Sequence, residues 1–135
     1  MREILFKGKR YDKNEWVEGY LHKMSTSVYE KGAGYSGFGI QEQYGTERPW
    51  SVNVDPSTIC QSTGFFDKNG VRIFEGDIVA LFKTEEYAKK AIVFFRQGSW
   101  IITDCEEWDF LQANVKHIEV VGNVYDNPDL LKGEV

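Results

Sequence analysis

A chain of 135 residues, 41% hydrophobic and 27% charged, is most simply one globular domain, large enough to bury a core without disulfide or metal staples. Its 16 Lys and Arg face 21 Asp and Glu, a net charge of −5 that works against any partner held mainly through phosphate contacts. The absence of a membrane-length apolar run or a signal-peptide-like N-terminus, with two cysteines lacking CxxC spacing, predicts a cytoplasmic protein with free thiols and no membrane partner.

Residues 2–22 alternate around Ile4, Phe6, Trp16, Val17, Tyr20 and Leu21, and Asp12-Lys13-Asn14 sits between the halves as a turn. This pattern predicts an N-terminal β-hairpin. Between 24 and 48 the chain turns to Ser25-Thr26-Ser27 and then Gly32, Gly34, Gly37, Gly39 and Gly45. Strand pieces at Val28-Tyr29 and Phe38-Gly39-Ile40 are expected to pair around a mobile tip, because glycine-rich backbone has the most entropy to lose on ordering. Trp50 to Val54 reads as another short strand, ended by Asp55-Pro56.

Further strands are expected near 59–66, 71–75, 77–83, 90–96, 99–103 and 117–125. Asn69-Gly70 suits the two positive-φ positions of a tight hairpin turn, Gly76-Asp77 makes a second turn, and Gln97-Gly98 a third. One short helix is expected over Cys105–Gln112. Asp104 would cap it, Glu107 falls at its third position, and Trp108, Leu111 and Val115 recur at helical spacing. Many short strands, 15% aromatic residues and 13 Gly against three Pro indicate a mainly β chain, a small barrel or a strongly curved sheet.

The patterns that resemble chemical sites have structural explanations. Gly32-Ala33-Gly34-Tyr35-Ser36-Gly37 is a literal G-x-G-x-x-G, but Gly45 and Pro49 leave no room for the helix that would face a pyrophosphate, and the acidic residue at the right distance, Asp55, lies in an Asp-Pro turn. Glu75 and Asp77 flank Gly76 and would share a face of a regular strand, as an acid–base pair would. A bulge or turn uses the same three residues, and no nucleophile, histidine or metal site accompanies them. His22, His117, Cys60 and Cys105 lack zinc-ligand spacing, and there is no G-x-S-x-G elbow. No catalytic, cofactor-binding or metal residue is therefore assigned. Tyr11, Trp16, Tyr20, Tyr35, Trp50, Trp100 and Trp108 could stack on bases or a peptide, but most are expected in the sheets, with one or two on an exposed patch.

Thr63-Gly64, Asp67-Lys68-Asn69-Gly70 and Ile73-Phe74-Glu75-Gly76-Asp77-Ile78-Val79 together resemble the signature of the YopX-like proteins, which are encoded largely by bacteriophages and prophages. Phe6-Lys7-Gly8-Lys9-Arg10-Tyr11-Asp12 with Trp16-Val17-Glu18-Gly19 is similar to the family's opening hairpin. Glu119-Val120-Val121-Gly122-Asn123-Val124-Tyr125-Asp126-Asn127-Pro128-Asp129-Leu130-Leu131 is similar to its closing strand and tail. Cys60 stands where the family usually has glycine, and Phe65 where leucine is commoner. The resemblance implies a β-rich fold with an SH3-like barrel and additional N-terminal strands. It implies no established activity, substrate or cofactor.

The resulting expectation is a single domain, 1–135. An N-terminal hairpin and glycine-rich loop occupy 1–58, a barrel core about 59–125, and a tail 126–135. Asn69, Gly70, Gly76 and Asp77 are its structural turn residues. The expected function is that of a non-enzymatic phage or prophage module engaging a protein, with self-assembly into a homo-oligomer favoured over a monomer. The alternative is a nucleic-acid-associated regulator using Lys7, Lys9, Arg10 and Lys13, diluted by Glu3, Asp12, Glu15 and Glu18. A small hydrolase-type enzyme is the distant third.

Overall fold

The computed structural model describes residues 4–23, 37–42, 51–82, 84, 86–104 and 106–131. The chain divides into two compact units, Met1–Ser62 and Thr63–Val135. Both are built from antiparallel strands.

In the first unit, β1 (Phe6–Lys9), β2 (Trp16–Lys23), β3 (Phe38–Glu42), β4 (Val52–Asn53) and the start of β5 (Cys60–Phe66) lie in the order β4-β3-β2-β1-β5. The predicted N-terminal hairpin is present: Lys9 stands opposite Trp16, and the Arg10 amide donates to Glu15 O at 2.8 Å to close the loop. Strand alternation collects Val17, Ile40, Val52 and Val54 into a core flanked by Phe6, Leu21, Phe38 and Ile59. Gly19 is dictated by close approach, since a Cβ there would lie 1.9 Å from Gln41 O on β3. The break expected at Asp55-Pro56 is a single 3₁₀ turn, Pro56–Thr58, whose first free amide, Ser57 N–H, donates to the Asp55 carboxylate at 3.0 Å. Cys60 causes no disruption: it pairs regularly with Lys7, is 1% exposed, and its thiol donates to Thr58 O. The expected strand at Val28-Tyr29 and most of the glycine-rich loop lie outside the described residues.

In the second unit, the end of β5 runs beside β6 (Arg72–Phe74). A five-stranded sheet follows in the order β10-β9-β8-β7-β11. Its strands are β7 (Asp77–Phe82), β8 (Ala88–Arg96), β9 (Ser99–Thr103), β10 (Trp108–Phe110) and β11 (Ile118–Asn123). One face carries Val79, Leu81, Ala91, Val93, Ile102 and Ile118, which form a core with Ile73 and Leu111. From Asp77 to Leu81 every residue of the interior strand β7 is buried, as a continuous apolar run predicts. These ladders establish a mainly β chain. Among the described residues none joins β10 to β11, so closure into an SH3-like barrel is not established.

The helix expected over Cys105–Gln112 does not form. The Asp104 carboxylate accepts from the amides of Glu106 (2.9 Å) and Glu107 (2.8 Å), and the Asp104 amide donates to Glu107 O. The chain therefore reverses, and Trp108 pairs with Thr103 as β10 begins. The side-chain oxygen that would cap a helix equally well closes a turn. An eight-residue helix is marginal by itself, whereas Trp108 and Phe110 suit a strand with a ready partner in β9. Leu111 still reaches the core, through a 3₁₀ turn at Leu111–Ala113.

The Gln97-Gly98 turn is as predicted, both residues having positive φ (50° and 83°). The Asn69-Gly70 turn differs in kind. Only Gly70 is left-handed, at φ 81°, with its amide donating to Asp67 O and the Asp67 amide donating to Val71 O. This is a three-residue loop with a bulge at glycine, longer by one residue than the expected turn. A Cβ at position 70 would meet nothing within 4 Å, so the demand for glycine is purely conformational. Gly70→Val should therefore lose about 1–3 kcal/mol, while Asn69→Val should stay within roughly 0.5 kcal/mol. Urea unfolding of both variants checks this, and equal losses would contradict it.

Candidate functional site

Two buried carboxylates serve the backbone. Asp67 is 6% exposed; one oxygen accepts from the Asn69 (2.8 Å) and Val71 (2.9 Å) amides, and the other from Val120, 53 residues later, at 2.9 Å. Burial pushes its carboxyl up, but the amides of Val120, Val71 and Asn69 together outweigh that and hold it below the usual carboxylate range. Sequence reasoning gave this turn to Asn69 and Gly70 and missed Asp67. The available signal was aspartate at the first position of a type I turn, with glycine three residues later.

Asp77 is 2% exposed and accepts from the Phe74 amide at 2.8 Å, closing the Glu75-Gly76 turn. Gly76 (φ 86°) donates to Val93 O and accepts from the Val124 amide, so this turn is tied to the interior of β8 and to the residue that follows β11. Glu75 and Asp77 thus share no strand face: one lies in the turn, the other begins β7 with its carboxylate turned onto the backbone. The arrangement is structural.

The sequence-predicted cations do gather on one surface of the first unit. The Lys7 and Lys9 ammonium groups stand 4.7 and 5.4 Å from the centre of the Trp16 ring. The Lys9 ammonium also donates to Asn14 Oδ1. Arg10 forms a fork with Asp12, Nε to Oδ1 at 3.0 Å and a terminal nitrogen to Oδ2 at 3.1 Å. That hydrogen-bonded pairing raises the guanidinium and lowers the carboxyl of Asp12. Lys13 is exposed in the loop, and Glu18 stands opposite Lys7 in the ladder. The patch exists, but aspartate balances its arginine, and two lysines lie over the tryptophan that a base would stack upon.

A second surface, in the second unit, was read from the sequence only as the single stacking candidate Trp108. Trp108 and Phe110 are 61% and 49% exposed and meet edge to face, ring centres 5.3 Å apart. Trp108 also lines a cleft of ≈ 90 Å³ that is floored by Leu81, Ala91 and Ile102 and rimmed by Lys89, Asp104, Glu107 and Asp109, whereas Phe110, paired with Ile101, projects from the face of the sheet opposite to Ile102. Lys89 forms an ion pair with Asp104, and that bond, with the Glu107 and Glu106 amides, holds the Asp104 carboxyl far below its usual range. Glu106, Glu107 and Asp109 are exposed. Ligand pockets for small molecules run to roughly 300–1,000 Å³, so this cleft takes the end of one side chain and no more.

Of the other aromatic candidates, Tyr11 and Tyr20 are exposed, while Trp16 and Trp100 are half-buried, Trp100 against the core. Tyr35 and Trp50 lie outside the described residues, as do Cys105, Gly32, Gly34 and Gly45. His22 hydrogen-bonds to Ser51 Oγ, and His117 is exposed on a 3₁₀ turn. Among the described residues no three His, Cys, Asp or Glu side chains are grouped as metal ligands would be.

The sequence profile of a family described as "YopX protein" matches residues 5–132. A solved structure with a similar fold is "protein EF1440 from Enterococcus faecalis", at 23% identity and TM-score 0.61, covering 98% of this chain and 100% of that one. No curated protein matches the sequence.

The Asp67 bonds predict a pH signature. Because this carboxyl ionises lower in the folded state than in the unfolded one, its stabilisation is complete above the ordinary carboxylate pKa of about 3.9. It is lost as pH falls through the folded-state value. Asp67→Asn keeps the shape but turns an N–H donor toward backbone donors, and should cost about 2–4 kcal/mol at neutral pH. The gap between the two proteins in urea unfolding should narrow as pH falls to about 3; a constant gap would refute the assignment.

Proposed function

The chain belongs to the YopX family, and from that premise we propose that it is a phage- or prophage-encoded, non-enzymatic binding module whose partner is a protein. The observation that carries this reading is the Trp108–Phe110 pair, an aromatic surface held out toward solvent. Exposed aromatic rings with a polar rim are the usual anchors of protein recognition. The non-enzymatic half of the reading draws on Asp67 and Asp77, the buried carboxylates best shielded for acid–base work, which are already bonded to backbone amides.

A nucleic-acid partner is the second reading, favoured by Lys7 and Lys9 beside Trp16. Against it stand the Arg10–Asp12 fork, the covered ring and a net charge of −5. Titration with duplex DNA, single-stranded DNA and RNA at physiological salt decides between them. The expected result is no micromolar binding. Micromolar binding that disappears on charge reversal at Lys9 and Arg10 would overturn the protein-partner reading.

A further inference from the structure

We infer that the β10 surface receives a basic, extended segment of another protein, with a Lys or Arg side chain laid against Trp108 and its head among Glu107, Asp109 and Asp104; this rests on the protein-partner reading above. The surface is aromatic, acidic and finely grooved at once. Trp108, which with Phe110 is an exposed ring, lines the cleft, and the carboxylates of Asp104, Glu107 and Asp109 share that lining with one ammonium, that of Lys89. Lys89 is paired with Asp104, and the two further carboxylates of Glu107 and Asp109 leave the rim negative. A cation is the complement of such a rim, and a tryptophan face is its best aromatic partner.

The cleft's dimensions fit the same occupant. Its floor of Leu81, Ala91 and Ile102 is apolar and its rim charged, which matches a side chain with a hydrocarbon stem and a cationic head. Its ≈ 90 Å³ admits one such side chain end.

Added-strand pairing is disfavoured by the edge of β10. The Phe110 amide donates to its neighbour's Asp109 Oδ1, and Phe110 O accepts from Asn114 Nδ2 at 2.8 Å, so part of the row a new strand would need is already bonded. Recognition therefore proceeds through side chains. The basic hairpin of a second copy is also a poor occupant, since it holds Arg10 against Asp12 and both lysines over Trp16.

The test uses the full chain and three labelled peptides of about 12 residues, one alternating Arg and Ser, one alternating Glu and Ser, and one of Gly and Ser, a length that spans a surface strand with room to spare. Fluorescence anisotropy should show micromolar binding of the Arg peptide only. Trp108→Ala and Glu107→Lys, both at exposed positions, should each weaken it by about tenfold or more, a loss typical of an aromatic or charged anchor. Thermal melting of each variant confirms that it is folded. Absence of Arg-peptide binding, or binding indifferent to both substitutions, would overturn the inference. Trp108-dependent binding of the neutral or acidic peptide would overturn it while leaving the protein-partner reading intact, whereas nucleic-acid binding with no peptide bound would remove both. A dimer abolished by Trp108→Ala would make the occupant a second copy and overturn it as well.

Discussion

The carboxylate of Asp67 joins parts of the second unit that are far apart in the chain. Two of its three bonds are local, to Asn69 and Val71, and set the turn between β5 and β6. The third reaches Val120 on β11. A buried charge without partners would be heavily penalised, so the burial of this carboxylate draws on all three amides. Next to it the Lys68 amide donates to Ile118 O, so a donor and an acceptor on the outer side of β11 are both taken up by this one turn. The turn thus fixes its own geometry and also finishes one side of the five-stranded sheet.

The other side of that sheet is finished by the same means with different residues. On β10, Asp109 and Asn114 bond to the Phe110 backbone as Asp67 and Lys68 bond to β11. A sheet can dispose of its edges by closing on itself or by occupying them, and among the described residues both outer strands are partly occupied. This separates two properties that are often confused. The ends of the sheet are made less receptive to added strands, while the side chains projecting from β10 remain available for contact.

Strand positions were legible because each carries either alternation or a solid apolar run between turn residues. Ile78 to Phe82 and the Gln97-Gly98 hairpin are the clearest cases. The departures have a common cause, which is that short polar residues serve several backbone geometries. Asn-Gly fits a two-residue turn or a three-residue loop, and only the upstream Asp67, bonding to the amides of Asn69 and Val71, selects the longer one. Asp104 fits a helix cap or a tight reversal, and the pairing of Trp108 with Thr103 selects the reversal. Of the candidate surfaces, the basic hairpin was visible because Lys7, Lys9 and Arg10 are neighbours in sequence. Trp108 stood among the stacking candidates, but the β10 surface was hidden because a helix over 105–112 would separate Trp108 from Phe110, and because Lys89 and Asp104 meet only through the pairing of β8 with β9.

The Asp67–Val120 bond also imposes an order in time. During synthesis the 67–71 turn can close as soon as its own residues emerge, since two of the carboxylate's amides lie within four residues of it. The remaining oxygen stays hydrated until β7 has been built and β11 pairs with it, because Val120 is held in place by its register with Val79. Sequestering that charge from water before β11 arrives would be costly, whereas afterwards the amide replaces the lost water. The second unit therefore becomes dry at this corner only at its last strand, and the nascent chain keeps a hydrated, ionised group there until the sheet is complete.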